Sequence, residues 1–567
     1  AAFCAGCVAG GGSVDFAAAV PMAEAGPPPR GAVPMTPEGA YLSGRVAQEE
    51  HDFAAALTFY EEALAHDPGD AALATRVFVL AVSEGRFDLA RPLASKLTSN
   101  DPNAGLANLV QAIELLKQNR ASGALAVVRN LPDDGFYRFV GAFARAWLTL
   151  GDKGGAMAAV AELQPLGTEQ GFLPLMALHA ALIEDLADDD AAAERDYRAA
   201  LGDKPPPLRL AQLAGNFYER VGKRDEADKL YKAFAENAGD AGVVPHVAAG
   251  GKPPRLIPDA TSGLAEALFD LASVVSQADS PEVAMLGTRM ALELKPDFPL
   301  ATLMLGDLEE EQGRLPAALA VYRSIDPASP YAWAARLRVA GTLEDTGDAD
   351  GAEKLLRVMA AERPAEAQPL IELGNVLRNH DKFREAATAY SDALTRLAPA
   401  ADPKYWSLYY SRGIALERAG DWPAAEADLR RALSLKPDQA DVMNYLGYSM
   451  VDRSVGLPEA LKLIKRAVEL KPKDGFIVDS LGWAYYRLGK YTDAESALEK
   501  AVELKPGDAE INDHLGDAYW QGGRREEARL QWRRALSLKP EPDLAKSIEA
   551  KLDHPPAQRP VAAVEKN

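Results

Sequence analysis

The chain has 567 residues, of which 48% are hydrophobic, and its formal net charge is −21. This length exceeds what a single hydrophobic core supports, and the negative charge argues against nucleic acid or an anionic membrane surface as a partner. No stretch holds the roughly 20 successive apolar residues that a membrane-spanning helix needs.

Both cysteines lie at the start of the chain, in Cys4-Ala5-Gly6-Cys7. A redox pair is one interpretation, but the strand and helix that would activate it are missing. Small residues before Cys7 are typical of a bacterial lipoprotein signal, although Cys4 replaces the usual leucine. A segment without function is the third interpretation. We favour lipidation of Cys7, and the missing Met and basic region indicate that the sequence begins inside the signal.

A Gly- and Pro-rich segment follows, and it predicts a flexible to semi-rigid tether. Residues 1–36 are therefore expected to be a signal remnant and a tether, without a packed core.

The most regular part of the chain is Ala440–Pro540, where one sequence pattern occurs three times. Its first halves read NYLGYSM, DSLGWAYYRLG and NDHLGDAYW, and the closing residues Pro472, Pro506 and Pro540 are 34 positions apart. Small residues, such as Gly516, stand where two helices must approach closely. A period of 34 with two amphipathic helices per copy is the pattern of tetratricopeptide repeats.

Counting back from these copies predicts an all-α, right-handed superhelical solenoid of about fourteen helix pairs with a C-terminal capping helix. The expected parts are a degenerate block at 37–239, a Gly/Pro-rich insertion at 240–263, a regular block at 264–540, the capping helix at 541–553 and a disordered tail at 554–567. The predicted starts of the pairs are Pro37, Ala71, Gly105, Tyr137, Pro174, Leu208, Ala265, Pro299, Trp333, Ala367, Trp406, Ala440, Gly475 and Ala509.

The sequence carries no known catalytic motif, and its histidines do not fall in helical i, i+3 or i+4 pairs. We therefore expect no catalytic residues, no metal and no cofactor. His514 is expected to be solvated or locally hydrogen-bonded.

A binding surface is predicted on the first helices of the last four pairs, at positions that point away from the second helix. Aromatic side chains interleaved with Asn and Asp are typical of binding hot spots. The alternative is that these rings pack between adjacent first helices. The predicted protein-binding residues are Tyr410, Asn444, Tyr448, Asp479, Trp483, Tyr486, Asp513, Asp517 and Trp520.

The sequence of Ala440–Leu536, together with the lipoprotein-like start, resembles the large tetratricopeptide lipoproteins of the proteobacterial outer membrane. That resemblance implies a periplasmic adaptor that gathers the carboxy-terminal processing protease and its peptidoglycan hydrolase substrates. It also implies an outer-membrane anchor through lipid on Cys7, since Val8 is not the aspartate that retains lipoproteins at the inner membrane.

Two other functions remain open. One is a subunit of another envelope machine, such as pilus or outer-membrane assembly. The other is a cytoplasmic co-chaperone, which would need a Lys and Arg clamp that the predicted surface lacks. A non-enzymatic scaffold is the common element, and its partners are expected to be proteins.

Overall fold

A computed structural model describes residues 36–152, 155–167, 170–203, 205–238, 252–278, 280–397 and 402–557. Within these ranges the chain forms 29 α-helices and no β-strand. Twenty-eight of them make fourteen successive pairs, and one helix follows the last pair. In the described ranges no helix is both long enough and apolar enough to cross a membrane. The predicted all-α fold of about fourteen helix pairs with a capping helix is confirmed.

The helices divide into two compact units, Pro27–Ala352 and Glu353–Asn567, and the division falls within one helix. The helices of the N-terminal unit are α1 Pro37–Glu49, α2 Phe53–His66, α3 Ala71–Ser83, α4 Phe87–Asn100, α5 Gly105–Lys117, α6 Ala121–Val128, α7 Gly135–Gly151, α8 Ala156–Ala161, α9 Leu173–Leu186, α10 Asp190–Leu201, α11 Leu208–Arg220, α12 Arg224–Ala238, α13 Ala260–Gln277, α14 Pro281–Leu294, α15 Pro299–Glu311, α16 Leu315–Arg323 and α17 Ala332–Asp345.

Helix α18, Ala349–Glu362, contains the division between the units. The helices of the C-terminal unit that follow it are α19 Gln368–Asn379, α20 Phe383–Arg396, α21 Trp406–Arg418, α22 Trp422–Leu435, α23 Ala440–Asp452, α24 Leu457–Leu470, α25 Gly475–Arg487, α26 Tyr491–Leu504, α27 Ala509–Gln521, α28 Arg525–Ser537 and α29 Pro542–Asp553.

Most first helices begin within two residues of their predicted starts. The exception is α13, which begins at Ala260 and not at Ala265. The side chain of Asp259 accepts a hydrogen bond from the backbone N–H of Ser262 at 2.7 Å and so caps the helix. This N-cap extends the helix by more than a turn beyond the repeat.

In eight of the fourteen pairs, a glycine on the first helix lies directly under a large side chain of the second helix. A Cβ atom added at Gly306 would lie 2.1 Å from the Tyr322 ring, and one added at Gly516 would lie 2.5 Å from Trp532. The Tyr322 hydroxyl donates to Asp307 Oδ1 at 2.8 Å, so the polar edge of the ring is satisfied. The small residue predicted at Gly516 therefore serves this close approach.

In the N-terminal unit the seventh pair, α13 and α14, packs against earlier pairs as well as against its neighbours in the chain. Helix α13 packs against α7 and α9, and α14 packs against α3 and α5. Glu293 of α14 forms ion pairs with Arg91, at 2.8 Å, and with Lys117. Helices α13 and α14 thus cover first helices of earlier pairs, and residues 252–263 belong to the same unit.

In the C-terminal unit α29 closes the last pair. Ile548 of α29 is fully buried, in one core cluster with Leu515, Tyr519 and Trp532. The helix therefore covers apolar surface that a further repeat would otherwise bury.

Substitution of Gly306 by alanine should destabilise the protein by about 1–3 kcal/mol, because the new methyl group overlaps the buried Tyr322 ring. The measurement is urea-induced unfolding followed by circular dichroism. Gly341→Ala is the matched control, since Gly341 is also helical, lies in the same unit and has open space at its Cβ position. That change should stabilise by about 0.5–1 kcal/mol. Equal effects of the two substitutions would contradict the packing argument.

Candidate protein-binding surface

The nine predicted protein-binding residues lie on four first helices of the C-terminal unit, α21, α23, α25 and α27. The repeat places equivalent positions of successive first helices next to one another. Side chains that are far apart in sequence therefore come into contact along this face.

At the start of the face, Tyr410 of α21 is half-buried among other aromatic rings. It meets Tyr445 of α23 edge-on, with ring centroids 6.0 Å apart, and it stacks on Trp406 at 6.4 Å. The Tyr445 hydroxyl donates to Glu417 Oε2 at 3.0 Å. Burial raises the pKa of both Tyr410 and Tyr445, so both hydroxyls stay neutral. These rings connect two adjacent first helices.

Asn444 and Tyr448 are half-buried one turn apart on α23. The Oδ1 atom of Asn444 is buried and has no hydrogen-bond partner among the described residues. Burial, followed by the charges of Glu510 and Asp479, raises the pKa of Tyr448. An unsatisfied buried acceptor costs about 1–3 kcal/mol, so this part of the face is not optimised for stability alone.

Trp483 of α25 is held between two rings. It stacks on Tyr486 with centroids 4.8 Å apart, and on His514 of α27 at 4.2 Å. Tyr486 itself is buried in the core of the unit. Trp483 therefore makes contacts between adjacent first helices, as the alternative interpretation of the sequence expected.

His514 is buried and pairs with a predicted site residue on the neighbouring first helix. Its Nδ1 atom lies 3.0 Å from Asp479 Oδ1. Burial alone lowers the pKa of His514, but the carboxylates of Asp479, Glu510 and Asp513 outweigh it and raise the pKa to about 9. His514 is thus protonated near neutral pH and donates to Asp479. Of the two expected states, solvated or locally hydrogen-bonded, the structure excludes the solvated one, and the hydrogen bond reaches the neighbouring first helix.

Lys551 of α29 pairs with two aspartate side chains of α27, which is the first helix of the last pair. Its Nζ atom lies 2.7 Å from Asp513 Oδ2 and 2.9 Å from Asp517 Oδ2. Trp532 donates its Nε1–H to the other oxygen of Asp517 at 3.0 Å. Asp513 and Asp517 are therefore engaged in contacts within the chain.

Trp520 is half-buried beside the segment that follows α29. Its Nε1–H donates to the carbonyl of Pro556 at 2.7 Å, and Gln521 Nε2 donates to the carbonyl of Ala557 at 3.1 Å. The first residues of the predicted disordered tail thus lie against this predicted binding residue. Residues 558–567 and the predicted lipidation site, Cys7, lie outside the described residues.

Part of the face remains accessible on α23 and α25. Phe476, at the first turn of α25, is 39% exposed, and the Lys505 ammonium lies 5.2 Å from its ring centroid. In the described ranges no cluster of three or more His, Cys, Asp or Glu side chains could hold a metal ion. The face offers aromatic surface and hydrogen-bonding groups.

The predicted surface did not include His514 and Lys551, which both contact its residues. Lys551 follows Asp517 by one repeat length of 34 residues, so extending the repeat register into α29 could have found it. No comparable signal marks His514, because its position depends on the stacking of two helices.

Comparison with protein families supports the repeat assignment. A family model described as tetratricopeptide repeat matches residues 289–332, 371–440, 410–475 and 480–541, and a second model with the same description matches residues 47–113. The matched ranges of the chain are tetratricopeptide repeats.

A relative with a similar repeat region occurs in Pseudomonas aeruginosa. The TPR repeat-containing protein PA4667 is 32% identical to this chain over 195 residues, which are 34% of this chain and 32% of that protein. The similarity thus spans about a third of the relative's length.

Solved structures with similar folds include three that differ in how much of the chain they match. A chain of the APC/C hetero-tetramer Cut9-Hcn1 is 16% identical, with 92% of this chain and 97% of that chain covered and a TM-score of 0.38. YrrB, described as a TPR protein with an unusual peptide-binding site, is 24% identical over 34% of this chain and 97% of its own, with a TM-score of 0.28. MamA from Desulfovibrio magneticus is 21% identical over 30% and 94%, also with a TM-score of 0.28.

Replacement of Asp479 by asparagine should lower the pKa of His514 by about 1–3, because the nearest carboxylate is lost while burial remains. The His514 pKa in the folded state lies above its ordinary value. The pair therefore stabilises the fold fully below about pH 6.5, and this contribution disappears as the pH rises through about 9.

Both effects can be measured, the pKa by NMR titration of the His514 ring protons and the stability by urea unfolding at several pH values. Asp441→Asn is the control, since Asp441 pairs with Lys471 away from His514. An unchanged His514 titration in the Asp479 variant would show that the ion pair is not the cause.

Proposed function

We propose that this chain is a non-enzymatic scaffold that binds partner proteins through the first helices of its C-terminal unit. Tetratricopeptide repeats typically form non-catalytic surfaces for protein–protein interaction, which supports the general assignment. The observation that carries the location is the row of partly accessible aromatic rings on α23 and α25, which includes Tyr448 and Phe476.

The chemistry of this row suits protein recognition. Tyrosine and tryptophan bury a large area on binding and lose little conformational entropy, particularly when neighbouring rings already fix their orientation. Trp483 is fixed in this way by Tyr486 and His514. In the N-terminal unit four first helices, α3, α5, α7 and α9, are covered by α13 and α14, which favours the C-terminal unit as the docking face.

The specific role that we propose is that of an adaptor. The chain would hold a carboxy-terminal processing protease together with a peptidoglycan hydrolase substrate and so raise their effective concentration for one another. The lipoprotein resemblance of Ala440–Leu536 supports this role. The similarity to PA4667 supports only the repeat fold.

We further propose that Cys7 is lipidated and that the lipid anchors the chain to the outer membrane from the periplasmic side. The residue order before Cys7, with Ala5 and Gly6, supports this location. A tether after Cys7 would let the repeats reach partners away from the membrane surface.

Combined substitution of Tyr448 and Phe476 by alanine should weaken binding of the purified processing protease at least about 30-fold, the effect of losing one hot spot of about 2 kcal/mol. The measurement is calorimetric titration with the protease from the same organism. Leu530→Ala is the matched control, because Leu530 is 61% exposed on the second helix α28.

An unchanged affinity in the double variant would place the docking face elsewhere. Absence of any binding by the unmodified protein would reject the protease as its partner.

Mass spectrometry of the protein expressed with a complete lipoprotein signal should show a diacyl or triacyl modification on Cys7, because only the cysteine that follows the cleavage site is acylated. The Cys7→Ser variant should lack this mass and leave the membrane fraction. The Cys4→Ser variant should keep both, since Cys4 would be removed with the signal. An unmodified Cys7 in the unaltered protein would contradict the anchor.

A further inference from the structure

A cavity in the N-terminal unit lies apart from the surface described above. It forms where the start of α11, the segment 252–259, the turn between α14 and α15 and the turn between α16 and α17 meet. Its volume is about 180 Å³. Two cationic and four apolar side chains that line it are Arg209, Lys295, Leu256, Phe298, Leu300 and Tyr331.

The walls of the cavity are held in place by polar contacts. Arg209 donates Nε–H and an Nη2–H to the two oxygens of Glu266, at 2.5 and 2.6 Å, and Glu266 is fully buried. The Tyr331 hydroxyl donates to Gln212 Oε1 at 2.8 Å. The cavity is therefore preformed, and the charge of Arg209 is already neutralised.

Lys295 has no such counter-charge at close range. In the ranges that the structure describes, no carboxylate forms an ion pair with its ammonium group, which lies 5.0 Å from the centroid of the Phe298 ring. Burial lowers the pKa of Lys295 despite the nearby charges of Glu266 and Asp297. Asp297 also lines the cavity, but it is exposed, so solvent screens its charge.

A half-buried ammonium group over an apolar cavity selects a particular kind of ligand. The ammonium group has lost hydration and gains most from a carboxylate, while the apolar walls reject a fully hydrated anion. Among the carboxylates of proteins, only the chain-terminal one is attached directly to a carbon that can also carry an apolar side chain. A cavity of about 180 Å³ exceeds the roughly 150 Å³ apolar cavity that accepts benzene, so one such side chain fits.

We propose that this cavity binds the chain-terminal carboxylate of a peptide that ends in an apolar residue. Lys295 pairs with the carboxylate, and Phe298, Leu300 and Tyr331 surround the terminal side chain. This site is independent of the protein-binding face of the C-terminal unit.

The test uses two small probes that differ only in charge, N-acetyl-leucine and N-acetyl-leucinamide. Calorimetry and ligand-observed NMR with the full chain should detect binding of the acid and at least about tenfold weaker binding of the amide, the factor expected for losing one hydrogen bond to a charged group. Lys295→Met should weaken binding of the acid by a similar factor, because methionine keeps the length of the side chain without its charge.

Two controls separate this result from unfolding and from unspecific charge effects. Lys436→Met removes an ammonium group that lies 5.2 Å from the Trp406 ring in the other unit, and it should leave binding of the acid unchanged. The melting temperature of each variant shows whether it folds, and Lys295→Arg should restore binding of the acid. Equal affinity for acid and amide, or no binding of either, would overturn the proposal.

Discussion

Eight of the fourteen pairs, including the last five, depend on the contact between a glycine of the first helix and the large side chain that lies on it from the second helix. At Gly374, for example, an added Cβ atom would lie only 2.4 Å from the Tyr390 ring. The glycine lets the helices approach, and the ring then fills the space that its missing side chain leaves. Because Tyr390 also donates to Asn375 Oδ1 at 2.8 Å, the same contact fixes the rotation of both helices. The direction of the outward-facing side chains follows from this.

The two units differ in what covers the side of the first helices that points away from the second helices. In the N-terminal unit α13 and α14 lie against it, and buried polar pairs hold them there. His179 is fully buried, with its Nε2 atom 3.2 Å from Asp270 Oδ2 and its Nδ1 atom accepting from Trp147 at 3.1 Å. In the C-terminal unit the corresponding side of α23 and α25 retains exposed aromatic surface, with Phe476 as its most accessible ring. This difference is the structural basis for assigning protein binding to the C-terminal unit.

The fold could be predicted from the sequence because it depends on local, repeated constraints. The 34-residue period located Gly475, Ala509 and most other helix starts, since the two helices of a pair pack on each other and on the adjacent pairs. The packing of α13 and α14 across earlier pairs could not be predicted in this way. It depends on contacts between distant residues, such as Glu293 with Arg91, and the repeat contains no information about such pairs.

The predicted surface shows the same limit. The sequence predicted side chains that point away from the second helices, but not which of them the core, the neighbouring helix or α29 would engage, as the core engages Tyr486. Asp513 and Asp517 both form ion pairs with Lys551, and Trp483 stacks on His514. These contacts depend on the distance between stacked helices, and pattern alone does not contain that distance. The role of the nine residues in binding stays a prediction.

We propose that a partner protein docks on the first helices of the C-terminal unit, and hydrogen–deuterium exchange of the full chain with and without the purified processing protease is the direct test. Binding should slow exchange in Ala440–Asp452 and Gly475–Arg487 and leave exchange in α13 and α14 unchanged. Protection confined to the second helices α24 and α26, or to the N-terminal unit, would contradict it.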